Sequence, residues 1–334
     1  HKPHASESIL LREGGGQSTY ICPPPFPVES FLEYCRIGGK FVQTFLTLLI
    51  SGLVIGGIYG LIALGYSLIY RASGLMSFAQ GDMVTLGAYL GIFYYVWLGL
   101  PILVALVLTF ITAFLFGMAL ERGVIRTLLK KNVIPIYIVL ATIAVSYIIQ
   151  NLAQAVFGST TQWFPQVFPV ANLTLFGVTN QTEAYASFVI SIILMIALHL
   201  FMTKTKFGTA MRGSAMDPLA AESCGINTSL STGITWGLAA SIASLAGMML
   251  GPMYGVFTTL GSTIGRKGFA GAVVGGYGNM YGAMIGGLLL GLAETFVAGY
   301  IDGTYKNQIA YIILIVFLFV KPTGIFNEKA IQDV

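Results

Sequence analysis

Long apolar stretches without a single charged side chain dominate the chain. Lys, Arg, Asp and Glu are all absent from residues 41–70, 83–120, 132–182, 184–203, 223–265, 268–293 and 307–320. A helix that crosses a bilayer needs about 20 mostly apolar residues, at a rise of about 1.5 Å per residue. Several of these stretches can therefore hold one spanning helix, and 83–120 is long enough for two.

The pattern predicts eight spanning helices, at about 42–70, 79–98, 101–120, 134–157, 185–202, 229–252, 280–300 and 307–321. A further element at about 264–275 is too short to cross alone and is interrupted by glycine. Strands of a β-barrel would alternate apolar and polar positions, whereas residues 312–320 are apolar throughout. The predicted fold class is all-α: a polytopic transmembrane helical bundle of about eight spans plus a short broken or re-entrant helix.

The composition excludes most other classes of protein. Only 9% of the 334 residues are charged, against about 25% in a typical soluble domain. So few charges cannot cover the surface of a soluble fold. The net charge of +4 is also too small and scattered for a nucleic-acid partner. We expect the lipid bilayer to surround the chain instead.

Basic residues indicate how the chain is organised and oriented. We predict a polar, disordered tail at 1–40, a transmembrane domain at 41–327 and a C-terminal tail at 328–334. Lys and Arg occur at 121–132, at 203–227 and after 320, and the positive-inside rule assigns these segments to the cytoplasm. The uncharged segment 158–182 then lies outside, on the same side as the start of the first span.

Two glycine-containing segments, 72–82 and 275–282, interrupt the predicted helices. Irregular backbone at membrane depth is tolerated where protein buries it or where it lines a cavity, and discontinuous helices often mark transport sites. Both segments can alternatively be interfacial turns. On the broken-helix interpretation, the candidates for a translocation path are Tyr66, Phe78, Gln80, Asp82, Gly275 and Gly276.

The candidate path offers glycine, hydroxyl, aromatic and aliphatic groups, and we expect no Lys or Arg deep in the membrane. Pores for anions normally carry cationic side chains, and pores for cations carry carboxylate rings. This composition favours a neutral or zwitterionic small molecule. Asp82 has two interpretations, because a carboxylate in this position can serve transport or cap a helix N-terminus.

Motifs for catalysis are missing from the sequence. There is no Gly-x-x-x-x-Gly-Lys-[Ser/Thr] loop for ATP, and no set of nucleophile, base and metal ligands. The three cysteines have no metal-binding spacing. We therefore expect no enzymatic activity and no cofactor. Any energy for moving a solute along the path must then come from an ion gradient or a separate ATPase subunit.

A short helix is predicted on an inner loop at residues 217–225. Asp217 followed by Pro218 is a helix-start signal, and Gly225 suits the end of the helix. Such a helix can dock into a groove on a partner, or it can be an ordinary interfacial helix. The candidate contact residues are Asp217, Pro218, Leu219, Ala220, Ala221 and Gly225.

Four stretches together resemble one family, the permease subunits of ABC importers for branched-chain amino acids. They are residues 57–70, the segment Gly74-Leu-Met-Ser-Phe-Ala-Gln-Gly-Asp82, residues 220–227, and residues 271–287 with 321–326. The family more often has Asn, His and Glu where this chain has Ser77, Gln80 and Asp82. The resemblance extends from about residue 42 to about residue 327.

This resemblance implies a multi-pass protein of the prokaryotic inner membrane, with 217–225 as the loop that couples to an ATPase. It also implies several partners: a homologous second permease subunit, two cytoplasmic ATPase subunits that bind the ATP, and an extracytoplasmic substrate-binding protein. Two alternatives remain open. The same machinery can carry urea or a short amide, or the chain can be an ATPase-independent channel or carrier for small neutral solutes.

Overall fold

The computed structural model describes residues 28–326 except 132, 166, 168–171 and 176–177. Side chains are described from residue 43 onward, except that of Leu175. Contacts divide the chain into two units, His1–Val42 and Gln43–Val334. Of the first unit we describe only the helical conformation from Val28. The predicted tail 328–334 and the first 27 residues of the predicted tail 1–40 lie outside the described residues.

The described chain is a helical bundle, which confirms the predicted fold class. π-Helical turns at Phe93–Trp97 and Glu121–Ile125 follow α2 and α3, and a 3-10 turn at Gly303–Tyr305 precedes α12. Strands β1 (Asn172–Leu175) and β2 (Val178–Gln181) form an antiparallel hairpin. The helices are α1 (Val28–Ser73), α2 (Ala79–Ile92), α3 (Ile102–Leu120), α4 (Arg126–Lys130), α5 (Pro135–Phe157), α6 (Thr182–Lys204), α7 (Lys206–Met216), α8 (Pro218–Ser223), α9 (Thr228–Tyr254), α10 (Leu260–Gly275), α11 (Met280–Tyr300) and α12 (Lys306–Val320).

Among the described residues, seven helical segments are long and apolar enough to span a membrane. The predicted span at 79–98 is helical to Trp97, but it is not one of the seven, and its first turn carries the polar residues Gln80 and Asp82. The short element α10, with 16 residues, is not one of them either, as predicted. The described part of the first helix is already helical at Val28, before the predicted start of the span at residue 42.

The loops that carry most of the basic residues lie at one end of the bundle. Tyr281 of α11 contacts His199 of α6 there, and Arg126 of α4 donates to the carbonyl of Ser229 at the start of α9. The positive-inside rule makes this the cytoplasmic, or inner, end. The hairpin lies at the opposite, outer end, where Asn180 donates to the hydroxyl of Ser51 at 3.2 Å. Basic residues of the inner end are Arg71, Arg122, Arg126, Lys130, Lys131, Lys204, Lys206, Arg212 and Lys321.

Helix α9 is central, because nearly all of its residues between Ser231 and Gly251 are buried. It lies backbone to backbone against α2 at two glycines. A Cβ atom at Gly87 would overlap the carbonyl of Ser244, and one at Gly247 would overlap the carbonyl of Val84. The Ser244 hydroxyl also donates to the carbonyl of Met83 at 2.9 Å. Glycine thus permits an approach that any side chain would prevent.

Glycines also join α1 and α10 to α11. A Cβ atom at Gly291 would overlap the backbone of Gly56, and one at Gly275 would overlap the carbonyl of Gly282. The glycines spaced four apart in the sequence therefore serve as close contacts between helices. Because α10 is held against its neighbours in this way, most of its side chains are buried.

A buried ion pair connects α10 to α11, and it corrects the expectation that no basic residue lies deep in the bundle. Lys267 Nζ is 2.6 Å from Glu294 Oε1, and the two side chains are 4% and 0% exposed. Lys306 of α12 lies 3.7 Å from the same oxygen, and Lys267 Nζ is 5.7 Å from the ring centroid of Tyr59. Since the tight packing of α10 keeps Lys267 from solvent, its charge requires this internal partner.

We predict that Gly247→Val destabilises the bundle, because the added Cβ would overlap the backbone of Val84 rather than a side chain that can move. Overpacking commonly costs about 1–3 kcal/mol, and here it should reach or exceed the upper value. Thermal unfolding of the purified protein in detergent measures the effect. Gly123→Val is the control, because a Cβ at Gly123 meets no atom within 4 Å. Equal stability of the two variants would contradict the backbone contact.

We predict that Lys267→Met destabilises the fold by about 3–5 kcal/mol, since it leaves Glu294 buried without its closest cation. The double variant Lys267→Met/Glu294→Leu should recover most of that loss, because neither charge is then left alone. Lys306→Met is the matched control, with a more distant and 28% exposed side chain, and should have a smaller effect. Thermal unfolding of these proteins and of the single variant Glu294→Leu tests the pair, and a loss in the double variant equal to the sum of the two single losses would disprove the coupling.

Candidate functional site

The first predicted break lies between α1 and α2, and it begins at Gly74, whose φ is +66°. Gln80 Nε2 donates to the carbonyl of Ala239 at 2.9 Å and lies against Gly65 of α1. Gly65 precedes the end of α1 at Ser73 by eight residues, or about 12 Å. The segment 74–78 therefore returns along α1, and α2 starts inside the bundle. This geometry favours the broken-helix interpretation over an interfacial turn.

A row of polar side chains on α5 receives the start of α2. Thr142, Ser146 and Gln150 follow one another at intervals of four residues, so they share one face of the helix. The Phe78 N–H donates to Thr142 Oγ1 at 3.1 Å. Ser146 Oγ and Gln150 Nε2 both donate to the carboxylate of Asp82, the latter at 3.0 Å. The row therefore provides an acceptor for the Phe78 N–H at the start of α2 and donors for the buried carboxylate of Asp82.

Asp82 is therefore not the N-cap of α2, which was one of its two interpretations. The N-cap is Phe78, which makes no side-chain capping bond, and Asp82 lies in the first turn with 1% exposure. A negative charge in the first turn is favoured by the helix dipole. The three α5 residues were not recognised from the sequence. The available signal was their spacing, since these three polar residues recur at every fourth position of a mostly apolar helix.

Aromatic rings connect this first break to the second one. The ring centroid of Phe269 on α10 lies 6.0 Å from that of Phe78, 5.6 Å from Tyr66 and 5.6 Å from Tyr277. Tyr277, in the second break, also contacts Tyr70 at 4.7 Å. Of the predicted path residues, Phe78 is 40% exposed, whereas Tyr66, Gln80 and Asp82 are buried. The path candidates on α1 and α2 thus lie together beneath Phe78.

The other two path candidates lie elsewhere. Gly275 ends α10 against Gly282 of α11, and Gly276, with a φ of +116°, lies against the backbone of Thr323. The N–H of Ile325 donates to the carbonyl of Val274 at 3.0 Å, so the C-terminal segment covers this turn. The glycines permit close backbone packing here, and the rings of Phe269 and Tyr277 link this turn to Phe78.

The short helix α8 has the start and the end that its sequence predicts. Asp217 is the N-cap, and its Oδ1 accepts the N–H of Ala220 at 3.0 Å, with Pro218 in the first turn. Gly225 has a φ of +80°, and the following N–H, of Ile226, donates back to the carbonyl of Ala221 at 3.0 Å. These bonds satisfy both ends of a helix of only six residues.

Helix α8 presents an apolar side chain at the inner end. Leu219 is 78% exposed, as is the neighbouring Met216 at 76%. Asp217, Pro218, Ala220 and Gly225 are exposed as well. Ala221 differs from the expectation, because it is buried beneath α8. Its methyl group can support the helix but cannot offer a surface to a partner.

Comparison with known proteins identifies relatives of the chain. A family model described as the permease component of branched-chain amino acid transport systems matches residues 48–318. A high-affinity branched-chain amino acid transport system permease protein, BraD of Pseudomonas aeruginosa, is 32% identical over 88% of this chain and 99% of its own length. The permease protein LivH of Escherichia coli K12 is 32% identical over 87% of this chain and 98% of its own.

No solved structure was found to match the chain. The family match nevertheless covers the first break, α8 and the second break, which are the segments described above. The chain therefore belongs to the family of branched-chain amino acid transport system permease components.

Proposed function

We propose that this chain is the membrane-spanning permease subunit of an ABC importer, which carries branched-chain amino acids across the prokaryotic inner membrane with ATP hydrolysed by separate subunits. The observation that supports this most strongly is the identity of 32% with BraD over 88% of the chain. In this assignment the chain performs no covalent chemistry and holds no cofactor, because the ATP is bound by the partner subunits.

The charges of the bundle suit a zwitterionic substrate with an apolar side chain. Lys267 is neutralised by Glu294, so it does not turn the bundle into a path for anions. Asp82 accepts hydrogen bonds from Ser146 and Gln150, and its carboxylate is therefore occupied. The surface around Phe78 offers mainly aromatic and apolar contacts, which favour the side chain of leucine, isoleucine or valine over a strongly hydrated ion.

The contacts also suggest how movement at α8 reaches the path. Ala221 anchors α8 within the chain, and the hydroxyls of Ser214 on α7 and Ser231 on α9 lie 2.8 Å apart. Helix α9 touches α2 backbone to backbone at Gly247, and α2 begins at the candidate path. Rigid helices in close contact can transmit such a displacement. We propose that one of the two cytoplasmic ATPase subunits produces it by binding at Leu219.

The exposed surfaces indicate where the remaining partners bind. Phe78 is exposed, and the outer face of α5 carries Tyr147, Ile148 and Leu152 with exposures of 59–63%. We propose that a homologous second permease subunit covers this face and that the path forms between the two. An extracytoplasmic substrate-binding protein would deliver the amino acid at the outer end, where the hairpin β1–β2 is located.

Reconstitution tests the function. The chain is inserted into vesicles with its second permease subunit and ATPase subunits, and the uptake of labelled leucine is measured with the binding protein outside. We expect uptake that requires ATP and stops when the ATPase subunits are omitted. Uptake without any ATPase would support a channel instead, and uptake of urea but not leucine would support the related importer for amides.

We predict that Leu219→Asp reduces ATP-driven uptake at least about tenfold, because a buried apolar contact of this size is worth about 1.5–3 kcal/mol at an interface. The basal ATPase activity of the assembled complex should fall less than uptake. Leu129→Asp is the matched control, an exposed leucine of the same end on α4. If Leu219→Asp transports like the control, α8 is not the coupling surface.

We predict that Gln150→Ala lowers the uptake rate about tenfold, since it removes a hydrogen bond to the buried carboxylate of Asp82. Gln154→Ala, one turn further along α5 and exposed, should leave uptake unchanged. Initial rates at saturating leucine separate the two variants, provided that both proteins assemble with the ATPase. Identical rates would show that the polar row of α5 has no role in the transport cycle.

A further inference from the structure

A cavity of about 190 Å³ opens at the inner end of the bundle, between α1, α6, α7 and α11. Two arginines line it, Arg71 at the end of α1 and Arg212 on α7, together with His199, Tyr281 and several methionines. A smaller cavity next to it is lined by the same two arginines. No acidic residue is among the lining residues of either cavity.

The two arginines lack the partners that other basic groups of the bundle have. Arg126 pairs with Glu121 at 3.0 Å, and Lys267 pairs with Glu294. Within the part of the chain that the structure describes, neither Arg71 nor Arg212 has a carboxylate within 4.0 Å. Arg212 Nε is moreover buried without a hydrogen-bond partner. A buried guanidinium donor needs an acceptor. Because two positive charges line the cavity without a carboxylate, an anion is the acceptor that suits it best.

An apolar surface continues from this cavity toward the outer end. Helix α6 exposes Ile192, Ile196 and Leu200 there, and α11 exposes Ile285 and Leu289. Met195 of α6 and Met284 of α11 both contact the position of Gly60 on α1, which forms the floor between them. A groove with cations at its inner end and apolar walls above them has the polarity of an amphiphile that stands in the inner leaflet.

We propose that this cavity binds an anionic phospholipid of the inner leaflet. The phosphate would be held by Arg71 and Arg212, because the planar fork of a guanidinium matches phosphate oxygens. The hydroxyl of Tyr281, now 2.9 Å from His199 Nδ1, adds a polar group at the rim. The acyl chains lie along the groove between α6 and α11. Basic pockets between helices on the cytoplasmic side are a recurring form of lipid recognition.

The proposed lipid would also stabilise the coupling segment. Arg212 belongs to α7, which is followed directly by Asp217 and α8, whereas Arg71 belongs to α1. A phosphate between the two arginines therefore joins α7 to α1. We expect anionic lipid to increase ATP-driven uptake; this consequence rests on the proposed function, whereas lipid binding itself does not.

Native mass spectrometry of the purified chain in detergent tests the proposal. The protein is equilibrated with equal amounts of phosphatidylglycerol and phosphatidylcholine of the same chain length, and the retained lipid is counted. We expect one tightly held phosphatidylglycerol on the wild type. The variant Arg71→Gln/Arg212→Gln should bind phosphatidylglycerol about tenfold to thirtyfold more weakly, because each removed charge contributes about 1 kcal/mol. The control Lys130→Gln/Lys131→Gln removes two exposed charges of the same end and should retain the lipid.

Further arms keep the result interpretable. Arg71→Lys/Arg212→Lys should retain part of the binding, which would show that the loss in the glutamine variant comes from charge and not from misfolding. Inorganic phosphate in excess should not displace the lipid, because it lacks acyl chains; displacement would identify a free-phosphate site and overturn the proposal. Equal retention of the two lipids by the wild type, or an equal loss in the Lys130/Lys131 control, would overturn it as well. None of these binding measurements depends on transport.

Discussion

The backbone contact between α2 and α9 is the constraint on which the rest of the bundle depends. Glycine at positions 87 and 247 lets two helices approach without side chains between them, and this contact holds α2 beside the central helix. The depth at which α2 starts then determines that Gln80 meets α9 and that Asp82 meets α5. In a bilayer, where apolar side chains gain little by leaving lipid, such close packing is a principal source of helix association.

Two buried carboxylates in this apolar bundle are held by partners from neighbouring helices. Asp82 accepts from Ser146 and Gln150, and Glu294 receives Lys267 with Lys306 nearby. Burial of an unpaired charge would be costly. Each pairing therefore also specifies position: the first places the start of α2 against α5, and the second places α10 against α11. These two sets of polar contacts thus help to fix the positions of the interrupted helices α2 and α10 within the bundle.

The inner end carries both the proposed ATPase contact on α8 and the proposed lipid-binding cavity. Helix α8 projects Leu219 toward the proposed ATPase, and the arginine-lined cavity begins one helix earlier, on α7. Both are connected to α9, since Ser214 of α7 contacts Ser231. A displacement of α8 and the occupancy of the cavity would therefore act on the same rigid neighbour. This arrangement gives a physical reason for transport to respond to the lipid composition of the inner leaflet.

Local chemistry in the sequence determined the class of the protein, the approximate positions of most of its long helices, and both ends of α8. Absence of charge over 20 residues, or an Asp-Pro pair with a later glycine, acts within the segment itself and needs no distant partner. Tertiary structure alone decided that Lys267 lies inside the bundle, that Ala221 faces inward and that α5 supplies the partners of Asp82. Those outcomes depend on which faces of separate helices meet, and close approach of glycine backbones helps to set this. Asp82 and its α5 partners, for example, are 64 and 68 residues apart along the chain.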